Sequence, residues 1–582
     1  MGDAGGLSLG AEQMRELGYR TVDALVDFLA RDAAPITRAA PSEMQERLRK
    51  PLSEEPEPFD DLLARLFGDV LPYASRSAHP RFFAFVPFAG TWPGALGDFV
   101  ASAANVYAGS WMESAGPAQL ELEVLEWFRE WTGLPETAAG ILTTGGSASN
   151  FAALACGARD GVVYLSDQCH SSLARAARVL GVGADRLRVL PTDAGMRLDP
   201  STLADAVAVD ASVGRRPALV VANAGATSTG AVDPLDELAD VCADAGLWLH
   251  ADAAYGGFAM LTDRGRRALR GIERADSVTL DPHKWLYQPY ECGALLVRDG
   301  RALDATFAIT SDYLRDVTAA SGEVNFSDRG LQLTRASRAL KVWLSVRTFG
   351  LGAFRRAIDT CLDLTERAAA AIDASPAFEL AAPPSLGVVC FRRTDGADVD
   401  GVAAALEQSG RGFVSTTRVH GERVLRLCIL NHTTTAADVD EVLALLADAA
   451  PASVAPGRER NETVGLDAVA AVAERRTVTA GETVVERWET GDELFLVAGG
   501  IYDVTIDGAH VATLGPGDVF GEIGAVAWDG GFARPRSATV TARTDGELDV
   551  VTHDALRQVL DREPQLEDLL RRLGGERLRT TR

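Results

Sequence analysis

The stretch DPHKWLYQP, residues 281–289, places a lysine between a histidine and a tryptophan, directly after an apolar run. Lysine is rare in this chain: it occurs as Lys50, Lys284 and Lys341, while arginine supplies nearly all the other positive charge. An amine differs from a guanidinium because it can lose its proton and attack a carbonyl carbon, forming a Schiff base. The alternative is a lysine whose stem lies along the surface at the end of a strand. Lys284 is therefore predicted to hold an aldehyde ligand, provided that its surroundings suit one.

Around this lysine, from about residue 95 to 315, short apolar runs alternate with helical stretches. Strands are predicted at PALVVANA (217–224), LWLHADAAY (247–255), SVTLDP (277–282) and GALLVRD (293–299). The segment DPLDELADVCADAG between the first two has the pattern of a helix. Alternating strands and helices predict right-handed crossovers and a largely parallel sheet, the α/β fold class.

Polar residues at the predicted strand ends indicate what the aldehyde is. Asp252 follows an apolar strand, where its carboxylate needs a cationic partner such as a protonated pyridine nitrogen. The segment ILTTGGSASNFAALA (141–155) puts small residues and hydroxyls before a helix, where backbone N–H groups bind phosphate. His170 lies between a strand and a helix, where its ring can stack on a flat ligand. Because ligands bind at the ends of such strands, Lys284 and these residues together predict a pyridoxal phosphate site.

Each signal also has an ordinary structural explanation. A strand-end aspartate can face solvent in a turn, and a Gly–Ser stretch can simply cap a helix. A loop histidine is often only a hydrogen-bonding residue. The combination of all four in one α/β unit favours the cofactor site.

Seven motifs in order give the sequence a family resemblance: HPRFFAFVP, PAQLELEVLEW, TTGGSASN, SDQCHSS, HADAAYGG, DPHKW and LRLCILNHTT. Over about residues 10–450 the chain resembles the group II pyridoxal-phosphate amino-acid decarboxylases. The resemblance implies fold type I of the pyridoxal-phosphate enzymes, with a mostly parallel large domain followed by a small α+β domain. It also implies a homodimer with active sites at the subunit interface, clasped by the N-terminal helical segment.

The resemblance also assigns roles to individual residues. Lys284 is implied to bind the cofactor covalently, Asp252 to pair with the ring nitrogen, and His170 to stack on the ring. Asp281 stands where the aromatic-amino-acid members have Asn near the phosphate, and a carboxylate there would be repelled unless turned away or protonated. The implied cofactor-binding positions are Ser147, Ala148, Ser149, His170, Thr227, Asp252, Asp281, His283 and Lys284.

The implied reaction is decarboxylation of an L-amino acid to an amine and CO₂. In aromatic-amino-acid decarboxylases a loop tyrosine protonates Cα, but GEVNFSDRGLQLTRASRALKVW (322–343) contains no tyrosine. Phe326 or Arg329 occupies that position, and Tyr313 is a nearby substitute. Relatives with Phe there are oxygen-consuming aldehyde synthases, so an oxidative deaminase or aldehyde synthase on the same scaffold is the alternative.

The substrate side-chain pocket is implied by HPRFFAFVPFAGTW (79–92). Phe85, Val86, Pro87 and Phe88 match the segment that lines this pocket in aromatic-amino-acid decarboxylases. An apolar, aromatic wall suits an aromatic or apolar side chain and offers little to a γ-carboxylate. The alternative is a core segment packed on the large domain.

After about residue 450 the pattern changes to short strands with Gly-containing turns, which predicts an antiparallel β roll closed by a helix. Within it, residues 517–542 resemble the phosphate-binding cassette of cyclic-nucleotide-binding domains. The resemblance implies a jelly-roll-like domain for cAMP or cGMP as a regulatory ligand. The alternatives are a roll that binds nothing, and a protein that is chiefly a nucleotide sensor with a degenerate catalytic half. The implied nucleotide contacts are Gly521, Glu522, Arg536 and Ser537.

The sequence thus divides into five predicted parts. They are an N-terminal helical dimerisation segment (1–94), a pyridoxal-phosphate-binding large domain (95–335), a small α+β domain (336–450), a linker (451–464) and a cyclic-nucleotide-binding-like β roll (465–582).

Composition indicates which binding partners and which cellular compartment to expect. A net charge of −25 argues against nucleic acid and against an anionic membrane surface. There is no apolar run of about 18 residues and no signal-peptide pattern, so we expect no membrane span. Seven cysteines without CxxC spacing are typical of reduced thiols, which favours a cytoplasmic protein. No metal site is expected.

Overall fold

A seven-stranded sheet forms the centre of the large domain, in the order β1-β7-β6-β5-β4-β2-β3. All neighbours are parallel except β7, which runs antiparallel to β1 and β6. The strands are almost wholly buried, because helices cover both faces of such a sheet. Its strands are β1 (Ala139–Thr143), β2 (Val162–Ser166), β3 (Leu187–Leu190), β4 (Pro217–Asn223), β5 (Trp248–Asp252), β6 (Ser277–Leu280) and β7 (Gly293–Val297).

The computed structural model of the protein describes residues 7–87, 89–309, 322–450, 467–506, 508–526 and 536–562, with 566 and 570. Within these ranges, no helix is both long enough and apolar enough to cross a bilayer. The helices up to residue 307 are α1 (Ala11–Leu29), α2 (Pro41–Leu48), α3 (Phe59–Arg65), α4 (Trp92–Ala103), α5 (Trp111–Thr132), α6 (Gly146–Gly157), α7 (Ser171–Val179), α8 (Pro200–Ser212), α9 (Leu235–Ala245), α10 (Asp263–Ala268) and α11 (Arg301–Phe307).

A buried ion pair fixes the long helix α5 against the sheet. Arg335 Nη2 lies 2.7 Å from Oε1 of Glu121, and both side chains are 1% exposed. The same carboxylate accepts from the backbone N–H of Leu142 in β1, and Arg335 donates to the Leu142 carbonyl. The pair therefore anchors the strand that leads into the glycine-rich turn before α6.

A four-stranded antiparallel sheet, in the order β10-β11-β9-β8, forms the smaller domain. The sequence predicts one long helix before it, but the structure has two, because Gly350 interrupts the helix with a φ of +70°. The elements are α12 (Ala339–Phe349), α13 (Leu351–Asp373), β8 (Phe378–Leu380), β9 (Val388–Arg393), α14 (Val399–Gln408), β10 (Ser415–Val419), β11 (Glu422–Cys428) and α15 (Ala436–Asp448).

Two antiparallel four-stranded sheets, β12-β19-β14-β17 and β13-β18-β15-β16, form the C-terminal domain. The predicted α/β fold with an appended all-β domain is thus confirmed. The elements are α16 (Asp467–Ala470), β12 (Glu474–Val478), β13 (Thr483–Val485), β14 (Leu494–Gly499), β15 (Tyr502–Ile506), β16 (Ala509–Leu514), β17 (Val519–Phe520), α17 (Glu522–Val526), β18 (Thr539–Ala542), β19 (Gly546–Val551) and α18 (His553–Arg562).

Candidate active site

A cavity of about 330 Å³ opens at the carboxyl edge of the large sheet, beside the N-terminus of α6. Its polar wall comes from three neighbouring strands: Asn223 ends β4, Asp252 ends β5, and Asp281 follows β6. Parallel strands bring these residues together because their carboxyl ends meet at one edge. Lys284 and His170 complete the polar lining.

Lys284 contributes an ammonium group to this cavity. Its Nζ lies 3.0 Å from Oδ2 of Asp281. Burial alone would lower the pKa of Lys284, but the carboxylates of Asp281 and Asp252 outweigh burial and raise it. The other oxygen of Asp281, Oδ1, is buried and has no hydrogen-bond partner among the described residues. Asp281 therefore holds the amine protonated until another group takes its place.

The carboxylate of Asp252 accepts hydrogen bonds from two neutral donors. Its Oδ2 accepts from Asn150 Nδ2 at 2.8 Å, and its Oδ1 accepts from the backbone N–H of Ala254 at 3.2 Å. The side chain lines the cavity and is nearly buried. A buried carboxylate facing a cavity is suited to bind a cationic ring nitrogen.

The turn between β1 and α6 forms a cradle without side chains. Gly145 has a φ of +139°, and a Cβ on Gly146 would lie 2.9 Å from Oδ2 of Asp281. The first turn of a helix has backbone N–H groups without intrahelical partners, and its dipole favours an anion. Ser147 and Ala148 extend this wall of the cavity. The cradle therefore suits a phosphate.

His170 caps α7 and lines the cavity. Its Nδ1 lies 2.9 Å from the Ser172 hydroxyl and accepts from the Ser172 backbone N–H at 3.2 Å. Desolvation in the cavity lowers the pKa of His170, so the neutral ring is favoured. Because Nδ1 accepts, the proton of the neutral ring is on Nε2.

Of the other predicted cofactor-binding residues, some line the cavity and one does not. Thr227 and His283 line the cavity. Ser149 does not: its hydroxyl is buried and lies 2.8 Å from the Thr143 hydroxyl. His283 Nδ1 is 2.6 Å from the Cys292 carbonyl, and burial lowers the pKa of His283.

The described residues of the predicted substrate segment, Phe85, Val86 and Pro87, are not among those that line this cavity. Phe85 is 62% exposed, and its ring packs on Phe413 with centroids 5.9 Å apart. Arg426 connects it to the cavity, donating to the carbonyls of Phe85 and Thr227 at 2.6 and 2.7 Å. Val86 packs partly on the main core, Pro87 is buried, and Phe88 lies outside the described residues.

Phe326 and Arg329, the two candidates for the position of the missing loop tyrosine, make contacts outside the cavity. Phe326 is fully buried, with the guanidinium of Arg335 5.1 Å from its ring centroid. Arg329 pairs with Asp304 at 3.2 Å. Neither therefore supplies an acid in the cavity, and Tyr313 lies outside the described residues.

Sequence reasoning missed several cavity residues, namely Asn150, Asn223, Tyr255, Tyr290 and Glu291. Tyr290 follows Lys284 by six residues, and its ring lies 5.1 Å from that of His283. Because Tyr290 is close to Lys284 in the sequence, it could have been predicted to lie near the cavity. Asn150 had no such signal, because its partners Asp252 and His250 are about 100 residues away.

The residues present fit pyridoxal phosphate. The cavity combines an amine paired with a carboxylate, a second carboxylate on a separate strand, and a glycine cradle at a helix N-terminus. The unpartnered, buried Oδ1 of Asp281 and the cavity of about 330 Å³ beside it both indicate room for a polar ligand. Among the described residues, no group of His, Cys, Asp and Glu could hold a metal ion.

The C-terminal domain brings three of its four predicted nucleotide residues together. Arg536 Nη1 donates to the Gly521 carbonyl at 3.1 Å, and its Nη2 lies 3.1 Å from Oε2 of Glu493. Gly521 has a φ of +85°, and a Cβ there would lie 2.5 Å from Arg536 Nη1. Glu522 is buried at the start of α17, and Ser537 is half-buried beside Arg536.

The same domain contacts the catalytic part of the chain through residues 486–489. Arg215, after α8, lies 3.5 Å from Glu486 and 3.8 Å from Glu489. Glu489 also forms an isolated antiparallel bridge with Arg188 of β3, the edge strand of the large sheet. The backbone of Arg536 bonds this segment, with Trp488 N–H donating to its carbonyl at 3.0 Å and its own N–H donating to Glu489 at 2.9 Å.

Comparison with protein families gives two matches. The family described as the pyridoxal-dependent decarboxylase conserved domain matches residues 41–161 and 158–394. The cyclic nucleotide-binding domain family matches residues 475–563.

Individual relatives agree with the first of these matches. The aromatic-L-amino-acid decarboxylase of Bacillus atrophaeus is 38% identical over 457 residues, covering 75% of this chain and 95% of the relative. The phenylacetaldehyde synthase of Arabidopsis thaliana is 30% identical over 450 residues, covering 72% and 92%. The solved structure of Oryza sativa TDC with PLP and tryptamine superposes with a TM-score of 0.72 at 28% identity, covering 76% of this chain and 98% of that chain.

Proposed function

The chain belongs to the pyridoxal-dependent decarboxylase family and is a pyridoxal-phosphate-dependent decarboxylase of an L-amino acid, and we propose that its substrate is aromatic. The observation that carries the proposal is the pairing of Lys284 with Asp281 in a cavity that Asp252 also faces. The exposed ring of Phe85, whose carbonyl accepts from the same Arg426 that donates to the cavity residue Thr227, supports an aromatic substrate. So do the relatives, whose names include aromatic-L-amino-acid and tryptophan decarboxylases.

We assign the residues of the cavity to the parts of the cofactor. Lys284 Nζ would bind the aldehyde carbon, Asp252 would bind the ring nitrogen, His170 would stack on the ring, and the cradle at Gly145 and Gly146 would bind the phosphate. When bound, pyridoxal phosphate supplies an aldehyde that captures amines and a ring that accepts the electron pair released with CO₂. The two negative charges of Asp252 and Asp281 raise the pKa of Lys284, so its proton must leave before Nζ can bond to carbon.

Once a substrate amino acid occupied the aldehyde, the amine of Lys284 would be free and could carry a proton. Asp281 Oδ2 is close enough to receive that proton at 3.0 Å. In its neutral form His170 offers an Nε2–H donor to the cavity, which suits a substrate carboxylate before it leaves. The bond from Cα to the carboxylate breaks, CO₂ leaves, and Cα takes up one proton to give the amine.

A second candidate is the aldehyde synthase, favoured by the engagement of Phe326 and Arg329 outside the cavity. In that reaction O₂ and water convert the same substrate to an aldehyde, CO₂, ammonia and hydrogen peroxide. The test is incubation of the holoenzyme with aromatic, acidic and basic amino acids, with amine, aldehyde and oxygen uptake all measured. Amine formation from aromatic substrates without oxygen uptake supports the decarboxylase, and equal turnover of glutamate would contradict the aromatic assignment.

We further propose that the C-terminal domain binds cAMP or cGMP and regulates the catalytic domain. A nucleotide phosphate would compete with Glu493 for the buried guanidinium of Arg536. The backbone of Arg536 bonds to residues 486–489, which contact Arg188 and Arg215. A movement of Arg536 would therefore change the contacts of Arg188, which belongs to β3. Regulation follows only if the nucleotide binds two arrangements of this contact with different affinity.

The chain is also proposed to act as a homodimer in the cytoplasm. Helices α1 and α4 carry exposed apolar side chains, with Tyr19 and Val26 on α1 and Phe99, at 65% exposure, on α4. Exposed apolar patches of this kind mark interfaces. All seven cysteines are unpaired and buried, as is usual for proteins of a reducing compartment.

A further inference from the structure

Behind Asp252 lies a buried asparagine that connects both sides of the cavity. Asn150 is 1% exposed and belongs to α6. Its Nδ2 donates to Oδ2 of Asp252 at 2.8 Å and to the Ser172 hydroxyl at 3.0 Å. Through Ser172 it reaches His170. The amide group of Asn150 therefore contacts Asp252 directly. It is connected to His170 by one further hydrogen bond, through Ser172.

The orientation of this amide is determined by its neighbours. An ionised Asp252 only accepts hydrogen bonds, so the NH₂ group of Asn150 must face it. The carbonyl oxygen of Asn150 then faces Nε2 of His250 at 3.0 Å, which must carry a proton. Burial lowers the pKa of His250 to about 4, so the ring is neutral and its Nδ1 accepts from Ser277 at 2.8 Å. Ser277 in turn accepts from the indole N–H of Trp248, which can only donate.

The second N–H of the amide donates to the Ser172 hydroxyl, which in turn contacts His170. The Ser172 hydroxyl accepts from Asn150, so its own hydrogen is free to donate to Nδ1 of His170 at 2.9 Å. With Nδ1 accepting, the neutral imidazole carries its proton on Nε2. Reversing the amide would place two acceptors together at Asp252 and two donors together at His250. The network therefore has one consistent arrangement of donors.

We propose that Asn150 is a positioning residue that orients the carboxylate of Asp252 and, through the Ser172 hydroxyl, supports the hydrogen bond that Nδ1 of His170 accepts. The inference rests on the role of Asp252 proposed above. Asn150 acts through Asp252 and Ser172, and His250 acts through Asn150. A purely structural role would affect stability but leave the environment of the bound cofactor unchanged.

The test compares three variants in binding of pyridoxal phosphate to apoenzyme and in the pH dependence of the visible absorption band. Asn150→Leu removes both donors, and the dissociation constant should rise roughly tenfold or more, the effect of losing one hydrogen bond to a charged group. Asn150→Asp is nearly isosteric but puts a second carboxyl group beside Asp252. Its affinity should therefore depend on pH over the range in which the shared proton is lost, a titration that the wild type lacks.

Asn431→Leu is the matched control, since Asn431 is also 1% exposed and donates to the carbonyls of Ala78 and His79, away from the cavity. It should lower stability without changing the band. If both Asn150 variants keep the wild-type dissociation constant and band while Asp252→Ala loses them, the inference is overturned and the role of Asp252 stands. If Asp252→Ala also keeps them, the proposed role of Asp252 fails first.

Discussion

The Nζ atom of Lys284 lies 3.0 Å from Oδ2 of Asp281, three residues earlier in the chain. This ion pair raises the pKa of the amine that must be neutral to attack an aldehyde. The rate at which apoenzyme captures pyridoxal phosphate should therefore increase with pH through the pKa of Lys284.

In Asp281→Asn one of the raising charges is removed, so the pKa of Lys284 falls and capture becomes faster at neutral pH. Stopped-flow absorbance of cofactor binding across pH measures this directly. Asp263→Asn changes an exposed carboxylate of α10 and should leave the profile unchanged. A capture profile in Asp281→Asn shifted to higher pH would contradict the prediction.

The buried pair of Arg335 and Glu121 should be essential for stability. Arg335→Met leaves a carboxylate buried without its partner and should cost about 3–5 kcal/mol in the urea-induced unfolding of the large domain. The double variant Glu121→Leu/Arg335→Met removes both charges and should recover most of the loss. Arg367→Met breaks a half-exposed pair with Asp440 and should cost no more than about 1 kcal/mol. Equal losses for Arg335→Met and Arg367→Met would show that burial of the pair does not matter.

Phe99→Asp places a charge on the exposed apolar face of α4 and should dissociate the proposed homodimer. Sedimentation velocity measures the change from dimer to monomer. Val179→Asp, on the exposed surface of α7, is the matched control because Val179 is 68% exposed, and it should remain dimeric. A wild-type protein that sediments as a monomer at micromolar concentration would refute the dimer.

Arg536→Gln should weaken nucleotide binding. A neutral amide cannot replace a charge-assisted bond to phosphate, so the dissociation constant for cAMP or cGMP should rise about 10–100-fold. Isothermal titration calorimetry is the measurement. Arg543→Gln alters an exposed arginine of the same domain that pairs with Asp503, and it should bind as the wild type does. Unchanged binding in Arg536→Gln would exclude the proposed phosphate site.

Arg215→Ala should separate binding from regulation. It removes the ion pairs to Glu486 and Glu489, so nucleotide should still bind while its effect on kcat/KM disappears. Arg216→Ala is the control, because Arg216 makes no ion pair to the C-terminal domain within the described ranges. Retention of the full nucleotide effect in Arg215→Ala would show that the signal takes another route, and a wild type that ignores nucleotide would contradict regulation itself.

The fold could be predicted from those segments whose hydrophobic pattern by itself identifies a strand or a helix. The apolar runs of β4 to β7 and the helical spacing of α9 indicated a sheet with crossovers, and the structure confirms that class. The strand β12 was missed because Glu474–Val478 is mostly charged and exposed, so it lacks an apolar run. The break at Gly350 was missed because a helix-period pattern continues on both sides of it.

The site was predictable where chemistry restricts the residue type. Lys284 stands out because only an amine can serve, and Asp252 because a carboxylate at a buried strand end needs a partner. Asn150 and His250 could not be found in this way, since an amide or a neutral imidazole inside an element has meaning only through its distant partners. Ser149 shows the opposite case: a hydroxyl in the predicted phosphate segment that the structure turns toward Thr143.

The most direct test uses the scarcity of lysine in this chain, which has only Lys50, Lys284 and Lys341. The holoenzyme is reduced with borohydride, digested, and the peptides are analysed by mass spectrometry. We expect a pyridoxyl group on the peptide that contains Lys284, with loss of the visible absorption band. A holoenzyme labelled on Lys50 or Lys341 instead, or on no lysine, would contradict this expectation.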